Sequence, residues 1–321
     1  MTAIETSGLT KRFGEDVVAV DGLDLTVEEA EVFGFLGPNG AGKSTVINML
    51  LDFVRPTAGS ATVLGHDPTS EAEAIRRRTG VLPDGGSLYE RLTGSEHIRW
   101  MARANDVDSD ADDLLRRVGL STEAADRAVG GYSKGMRQRL AFAMALVGDP
   151  ELLILDEPSS GLDPTGMRKF RELVRDVAAD GTTVFFSSHI LSEVEAVCDR
   201  VGILNDGRLV ATGTPAALRS ALGLGGSISV VVSSVPADHR LDAIDGVRRV
   251  TIDGATVTAT LTDPEAKVEV VSQLADRTQV RDIHAEDTSL EQLFDTYTSG
   301  DGAPRPAPDG EHDATPVEAI R

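Results

Sequence analysis

The nine residues Gly37-Pro-Asn-Gly-Ala-Gly-Lys-Ser-Thr45 carry the most specific chemistry in this sequence. They fit G-x-x-x-x-G-K-[ST], with Gly37, Gly42, Lys43 and Ser44 in the specified places. Holding a phosphate takes inward-pointing backbone N–H groups with no side chain in the way, which is why glycine recurs. Pro38, Asn39, Gly40 and Ala41 complete the loop, and Thr45 follows it. Lys43 supplies a point charge for β- and γ-phosphates, and Ser44 a hydroxyl for Mg²⁺. The plain alternative is a glycine-rich turn before an ordinary helix. The surroundings argue against it. Glu31–Leu36 is an apolar run fit for a strand, and Thr45–Val54 is apolar and helical, the strand–loop–helix setting that such a loop requires.

Two later strand ends carry the other candidates. Leu152-Leu-Ile-Leu-Asp-Glu157 is an apolar strand closing on two acids, and ligands of open α/β sheets bind at that edge. Asp156 is expected to hold Mg²⁺ together with Ser44, and Glu157 to polarise a water for in-line attack on the γ-phosphate. Taken alone, the stretch would read as a solvated acidic turn. Val184–Phe186 runs into Ser187-Ser188-His189. His189 reads either as a structural hydrogen-bonding group or as a donor that reaches the γ-phosphate and keeps the attacking water in place.

The elements that must position these groups are legible in outline. Residues 1–85 alternate short β-like runs with turns. Val17–Val20 and Leu23–Val27 are expected as two strands separated by a turn at Asp21-Gly22. Residues 86–130 have helical spacing and many charges at Glu96–Ala104 and Ala111–Val118, consistent with a helical insertion, and Ser133–Val147 is helical. Leu152–Leu155 and Val184–Phe186 are continuous apolar runs, the mark of parallel strands covered on both faces. From about Gly223 the pattern becomes β-α-β-β-α-β. Strands are expected at Ile228–Val232, Val247–Ile252, Ala255–Leu261 and Val280–His284, and helices at Leu241–Asp245 and Glu265–Ala275. That order suggests a small ferredoxin-like sandwich. Ser289–Tyr297 is amphipathic, and the Pro- and Gly-rich residues 299–321 are expected to be disordered.

Composition sets bounds. The 321 residues are 40% hydrophobic and 26% charged, as in globular proteins, with only 4% aromatic, so aliphatic side chains must build the core. One cysteine, Cys198, excludes an intrachain disulfide framework. No signal peptide is expected at Met1–Thr10, and the longest apolar run, near Leu140–Val147, falls far short of the ~20 residues that span a bilayer. The net charge is −21, and lysine occurs only at 11, 43, 134, 169 and 267. High acid with little lysine is either a salt-adapted pattern or an arginine-favouring codon bias. Either way nucleic acid is a poor partner, because phosphate neutralisation needs clustered Lys and Arg.

Taken in order, the motifs resemble the nucleotide-binding subunits of ATP-binding-cassette (ABC) transporters over about residues 3–220. The resemblance implies further roles. Phe13 stands where the family stacks an aromatic on adenine, with Val18 beside it. Tyr132-Ser-Lys-Gly-Met-Arg-Gln138 is similar to the family signature, in which Ser133, Lys134 and Gly135 would meet the γ-phosphate held by another protomer. Ser133 suits a helix N-cap and Gly135 allows close backbone approach. Ser160-Gly-Leu-Asp163 resembles the D-loop, which makes Asp163 a dimer-interface residue, though alone it reads as a helix cap. His189 matches the switch histidine.

Two departures stand out. Lys134 and Met136 replace the usual Gly and Gln of the signature, a form similar to the exporter branch that includes daunorubicin-resistance-type ATPases. Asp84, in Val81-Leu-Pro-Asp84, occupies the Q-loop position where the family has Gln or Glu, and its reach is shorter. Thr288–Phe294 also resembles the tail module of that branch.

The resemblance implies an α/β P-loop NTPase (ABC ATPase) core over 1–220 with a helical subdomain at about 86–145. A small α+β accessory domain over 221–298 and an acidic tail follow. It also implies binding and hydrolysis of ATP with Mg²⁺, an ATP-bound homodimer of two-fold symmetry, and a separate integral membrane permease. The chain is expected in the cytoplasm, peripheral on the inner face of the membrane. The competing readings are a non-transport ABC ATPase and a regulatory subunit that barely hydrolyses ATP. The transported substrate is not written in these residues.

Overall fold

The computed structural model describes residues 1–286 except 161, 222–225, 237 and 264. Ser289–Tyr297, Thr288–Phe294 and the 299–321 tail lie outside the described residues.

Two long antiparallel strands open the chain, β1 (Thr2–Phe13) and β2 (Val17–Glu28). Ile4, Leu9, Val20, Leu23, Leu25 and Val27 form their buried stripe. The turn expected at Asp21-Gly22 is instead a bulge inside one strand. Gly8 and Gly22 both take positive φ, at 55° and 63°, and the register steps at each of them, from Thr6↔Leu25 to Leu9↔Leu23 and from there to Lys11↔Val20. Glycine on both strands absorbs the extra residue without ending the pairing. Next come β3 (Val32–Leu36), the loop 37–42 and α1 (Lys43–Leu50). The apolar run to Val54 outlasts this helix. Asp52 takes a left-handed φ of 55°, and the N–H groups of Phe53 and Val54 turn back to the Asn48 carbonyl at 2.8 and 3.1 Å, capping it. β4 (Ala58–Val63) completes a three-stranded sheet of order β2-β1-β4.

The second sheet positions the chemistry. After α2 (Pro68–Arg77) and β5 (Thr79–Leu82), the chain makes a helical excursion of α3 (Gly94–Ala104), α4 (Ala111–Arg117) and α5 (Thr122–Ala125). Three of these starts are capped as their sequences demand, by Thr93 in a capping box with Glu96, by Asp110 and by Ser121. α6 (Lys134–Ala145) leads back to β6 (Leu152–Asp156). α7 (Pro164–Ala179), β7 (Thr183–Ser188), α8 (Leu191–Val197), β8 (Arg200–Asn205), β9 (Arg208–Gly213) and α9 (Pro215–Ala221) follow. The strand order is β5-β6-β7-β3-β8-β9, parallel except for β9.

Both faces of this sheet are covered, so β3, β6 and β7 are buried along their whole length. Phe33, Phe35 and Phe185 face one apolar cluster with Ile47 and Leu50, and Phe186, Leu153 and Leu155 face another with Phe142 and Val174. Each buried phenylalanine contributes about 2–3 kcal/mol. Gly34 lets α8 lie directly on β3, since a Cβ there would come within 2.3 Å of Val194 Cγ1 and 2.9 Å of Cys198 Sγ. Register then aligns three strand ends. Leu36 pairs with Ser188, and Ser187 with Asp156. The loops beginning at Gly37, Glu157 and His189 therefore leave the sheet side by side.

A separate four-stranded antiparallel sheet is built from β10 (Gly226–Val232), β11 (Val247–Asp253), β12 (Thr256–Leu261) and β13 (Val280–Glu286), in the order β11-β12-β10-β13. α10 (Ala266–Ala275) covers one face, with Val270 and Leu274 against Ile228, Val230 and Val257. The helix expected at Leu241–Asp245 is only a 3₁₀ turn, Leu241–Ala243. Ile244 is already extended and Gly246 takes a positive φ of 85°, which leaves no room for a second helical turn.

Candidate active site: a phosphate loop against two carboxylates

The loop after β3 is shaped by its neighbours. Gly37 N–H donates to the Ser188 carbonyl at 3.3 Å, and Ala41 N–H to Pro38 at 3.1 Å. Gly42 has φ 108°, and a Cβ on it would meet the Ala19 carbonyl at 2.3 Å. Gly40, at φ 85°, faces open space. Asn39 is exposed and Thr45 half-buried. The N–H groups of Gly40, Gly42, Lys43 and Ser44 meet no protein acceptor among the described residues. The first turn of α1 holds no acid. This is the positive, donor-rich end of a helix opening onto a concave loop, a site for an anion.

Lys43 is only 6% exposed. Its ammonium donates to the carbonyls of Gly37 at 2.7 Å and Pro38 at 3.3 Å, and lies 3.2 Å from Glu157 Oε1. Asp156 accepts from Ser44 Oγ at 3.0 Å through Oδ2 and from Ser187 Oγ at 2.5 Å through Oδ1. Glu157 takes a left-handed φ of 48°, held by its N–H on the Ser187 carbonyl at 3.1 Å. That conformation, unusual for a side-chain-bearing residue, turns Glu157 away from the partners of Asp156. Its Oε2 lies 2.7 Å from His189 Nδ1. Lys43, Ser44, Asp156, Glu157 and His189 thus form one cluster across three loops.

The remaining candidates lie elsewhere. Phe13 and Val18 sit, 46% and 36% exposed, at the end of the β1–β2 hairpin. Ala19, next to Val18, is the residue whose carbonyl abuts Gly42. Ser133 caps α6 by accepting from Met136 N–H at 3.3 Å. Ser133, Lys134 and Gly135 make no hydrogen bond to residues 37–45 among the described residues. They line a cavity of about 400 Å³ with Arg139, Asp163 and Lys169. Asp163 caps α7 through Gly166 N–H at 2.7 Å. Asp84 is exposed and joins no hydrogen bond or ion pair among the described residues, so it stands apart from the cluster.

The ABC transporter family model matches residues 20–160. Over 91% of its length the chain is 40% identical to 91% of the daunorubicin/doxorubicin resistance ATP-binding protein DrrA of Streptomyces peucetius. The chain belongs to the ABC transporter ATP-binding proteins. Another relative of this family, Nod factor export ATP-binding protein I of Burkholderia lata, is 35% identical over 91% of the chain and 95% of its own length. The solved structure of an ATP binding subunit of an ABC transporter aligns with a TM-score of 0.62 at 32% identity, across 69% of this chain and 94% of that one. The protein is an ABC ATPase with the P-loop NTPase fold.

Two partners in this ABC ATPase escape sequence reading. Ser187 fixes Asp156 from another strand, and its only sequence signal is its place before Ser188-His189. Gln138, on α6, donates to the Pro158 carbonyl and so fastens the signature helix to the loop after Glu157. Neither pairing can be seen without the fold.

Proposed function

We propose that this ATPase hydrolyses Mg-ATP as a homodimer and drives a separate integral membrane permease in the direction of export. The observation that supports hydrolysis is the contact of Glu157 with both Lys43 and His189. The loop N–H groups and Lys43 bind the β- and γ-phosphate oxygens. As the triphosphate draws Lys43, Glu157 Oε1 leaves its ion pair and accepts a proton from the attacking water. His189 holds Glu157 from Nδ1 at 2.7 Å, which leaves its Nε2 edge for the γ-phosphate. Ser44 and Asp156 offer a hydroxyl and a carboxylate 3.0 Å apart, the hard oxygen donors suited to Mg²⁺, which neutralises phosphate charge when bound. Phe13 and Val18 receive the adenine. Asp84, free at the surface, has the shorter carboxylate with which to sense Mg²⁺, the attacking water or the permease.

The homodimer reading is supported by the lack, among the described residues, of any hydrogen bond between Ser133–Gly135 and residues 37–45 of the same copy. Ser133, Lys134 and Gly135 cradle the γ-phosphate on a second copy, with Lys134, Arg139 and Lys169 adding positive charge and Asp163 at the same face. The export direction follows the relatives, whose names are a resistance protein and an export protein. Among the described residues no helix is long and apolar enough to cross a membrane. The proposed permease is a separate chain, on which this one docks peripherally at the inner face. Residues 221–298 serve as an accessory packing domain, and nucleic acid is no partner of a surface this acidic. The test is size-exclusion chromatography and ATPase assay of the purified chain and of Glu157→Gln, with co-purification of an integral membrane protein. A Glu157→Gln form that stays monomeric with Mg-ATP and has no affinity for it would overturn the reading.

A further inference from the structure

We propose that Glu193 is a positioning residue that couples the dimer-facing loop 158–163 to His189 and Glu157, so that docking of a second copy sets the hydrolytic pair. The inference rests on the roles proposed above for Glu157 and His189.

Glu193 lies on α8, four residues beyond His189, and is 2% exposed. Its Oε2 accepts from Ser188 Oγ at 3.1 Å and from Ser159 Oγ. Its Oε1 is buried with no hydrogen-bond partner, and no cation pairs with it among the described residues. Burying a carboxylate without a counter-charge is costly, and an apolar residue of similar size would pack there without that cost. Two hydroxyls are what the carboxylate gains.

Those hydroxyls belong to the two loops that matter. Ser159 is two residues after Glu157, and its carbonyl accepts from Leu162 N–H at 3.0 Å, which shapes the chain leading to Asp163. Ser188 directly precedes His189. Its Oγ also accepts from Ile190 N–H at 2.9 Å, and its carbonyl takes Gly37 N–H at 3.3 Å. One carboxylate oxygen therefore ties the dimer-facing loop to the histidine turn and, through it, to the start of the phosphate loop. Movement of Ser159 is passed to Ser188, and so to the 2.7 Å contact between His189 and Glu157. A loss of alignment of about 1 Å costs on the order of a hundredfold in rate.

The experiment is steady-state ATPase kinetics of the full chain, read as kcat, KM for Mg-ATP and Hill coefficient. Glu193→Ala is expected to lower kcat by about ten- to a hundredfold with KM within about twofold, and to move the Hill coefficient towards one. Glu193→Gln keeps an acceptor for both hydroxyls and should recover most of the rate. Ser159→Ala combined with Glu193→Ala should be no slower than Glu193→Ala alone. A wild-type kcat in Glu193→Ala, a KM that rises in step with the loss of kcat, or losses that multiply in the double variant would each overturn the coupling. Should Glu193→Ala not fold, Ser159→Ala, Ser188→Ala and their combination decide by the same rule. Glu157→Gln separates the two claims. If it still turns over, the underlying site is wrong; if it is inactive while Glu193→Ala runs at the wild-type rate, only the coupling is.

Discussion

Replacing Glu157 with Gln removes a charge from a pair that is almost out of water. Lys43 and the Glu157 side chain are 6% and 13% exposed, with 3.2 Å between ammonium and carboxylate. At an effective dielectric of about 20, the gross attraction across that gap is about 5 kcal/mol. Breaking a buried pair by deleting one charge costs about 3–5 kcal/mol because the other is left stranded. Here the amide oxygen of Gln still places a partial negative charge beside Lys43, and the Gly37 and Pro38 carbonyls keep accepting from it, so about 2 kcal/mol is the expected loss. For a chain of this size that lowers Tm by about 3 °C. Without its base, turnover should fall by about 10²–10⁴-fold. The variant also no longer competes with phosphate for Lys43, so ATP should bind at least as tightly as to wild type and restore more of the melting temperature. Differential scanning fluorimetry across an ATP titration, beside a phosphate-release assay, reads all three. Unchanged turnover, or a melting temperature that ATP does not raise in the variant, would refute the reasoning.

Three further predictions concern the same machinery and one structural acid. Lys43→Ala should leave less than about one hundredth of the ATPase activity, since it removes the phosphate charge and strands Glu157; persistence of turnover would mean residues 37–45 are misread. Gly42→Ala puts a Cβ 2.3 Å from the Ala19 carbonyl at a φ of 108°, and should cost about 2 kcal/mol or more in denaturant titration and weaken nucleotide binding. Burial raises the Glu31 carboxyl above its ordinary value, although its hydrogen bond from Glu28 N–H and the nearby Arg200 act the other way. The stability Glu31 contributes is therefore complete below its unfolded pKa and is lost as pH rises through the folded one. Glu31→Gln should flatten that part of the Tm–pH curve, and an unaltered slope would show that Glu31 does not set it.

Buried parallel strands announce themselves, and so do loops whose every position is constrained. Val32–Leu36, Leu152–Asp156 and Thr183–Ser188 are continuous apolar runs because both faces of their sheet are covered, and residues 37–45 have few substitutes as a phosphate cradle. From those runs the cluster of Lys43, Asp156, Glu157 and His189 could be anticipated. The bulge at Gly22 could not, because the same dipeptide serves a turn or a bulge, and only the register with Gly8 across the ladder decides. The short segment Leu241–Asp245 had too few residues for periodicity to separate a helix from one 3₁₀ turn. Ser187, Gln138 and Glu193 act across 20 to 34 positions, so local pattern carries no trace of their partners. Asp84 is singled out only by its place in a motif, and it sits exposed in the turn after β5.

Gly34 does no chemistry, yet it constrains how this enzyme can drift. It sits mid-strand in β3, and any larger side chain would drive against Val194 and Cys198 on α8. Glu193 is the neighbour of Val194, so crowding under the helix would tilt the residue that touches Ser159 and Ser188. A mutation outside the phosphate loop, one that touches none of its side chains, would thus silence turnover while leaving ATP affinity intact. Variation inherited by descendants of this chain should accordingly spare that one hydrogen-sized gap, and loss-of-function alleles should map to it.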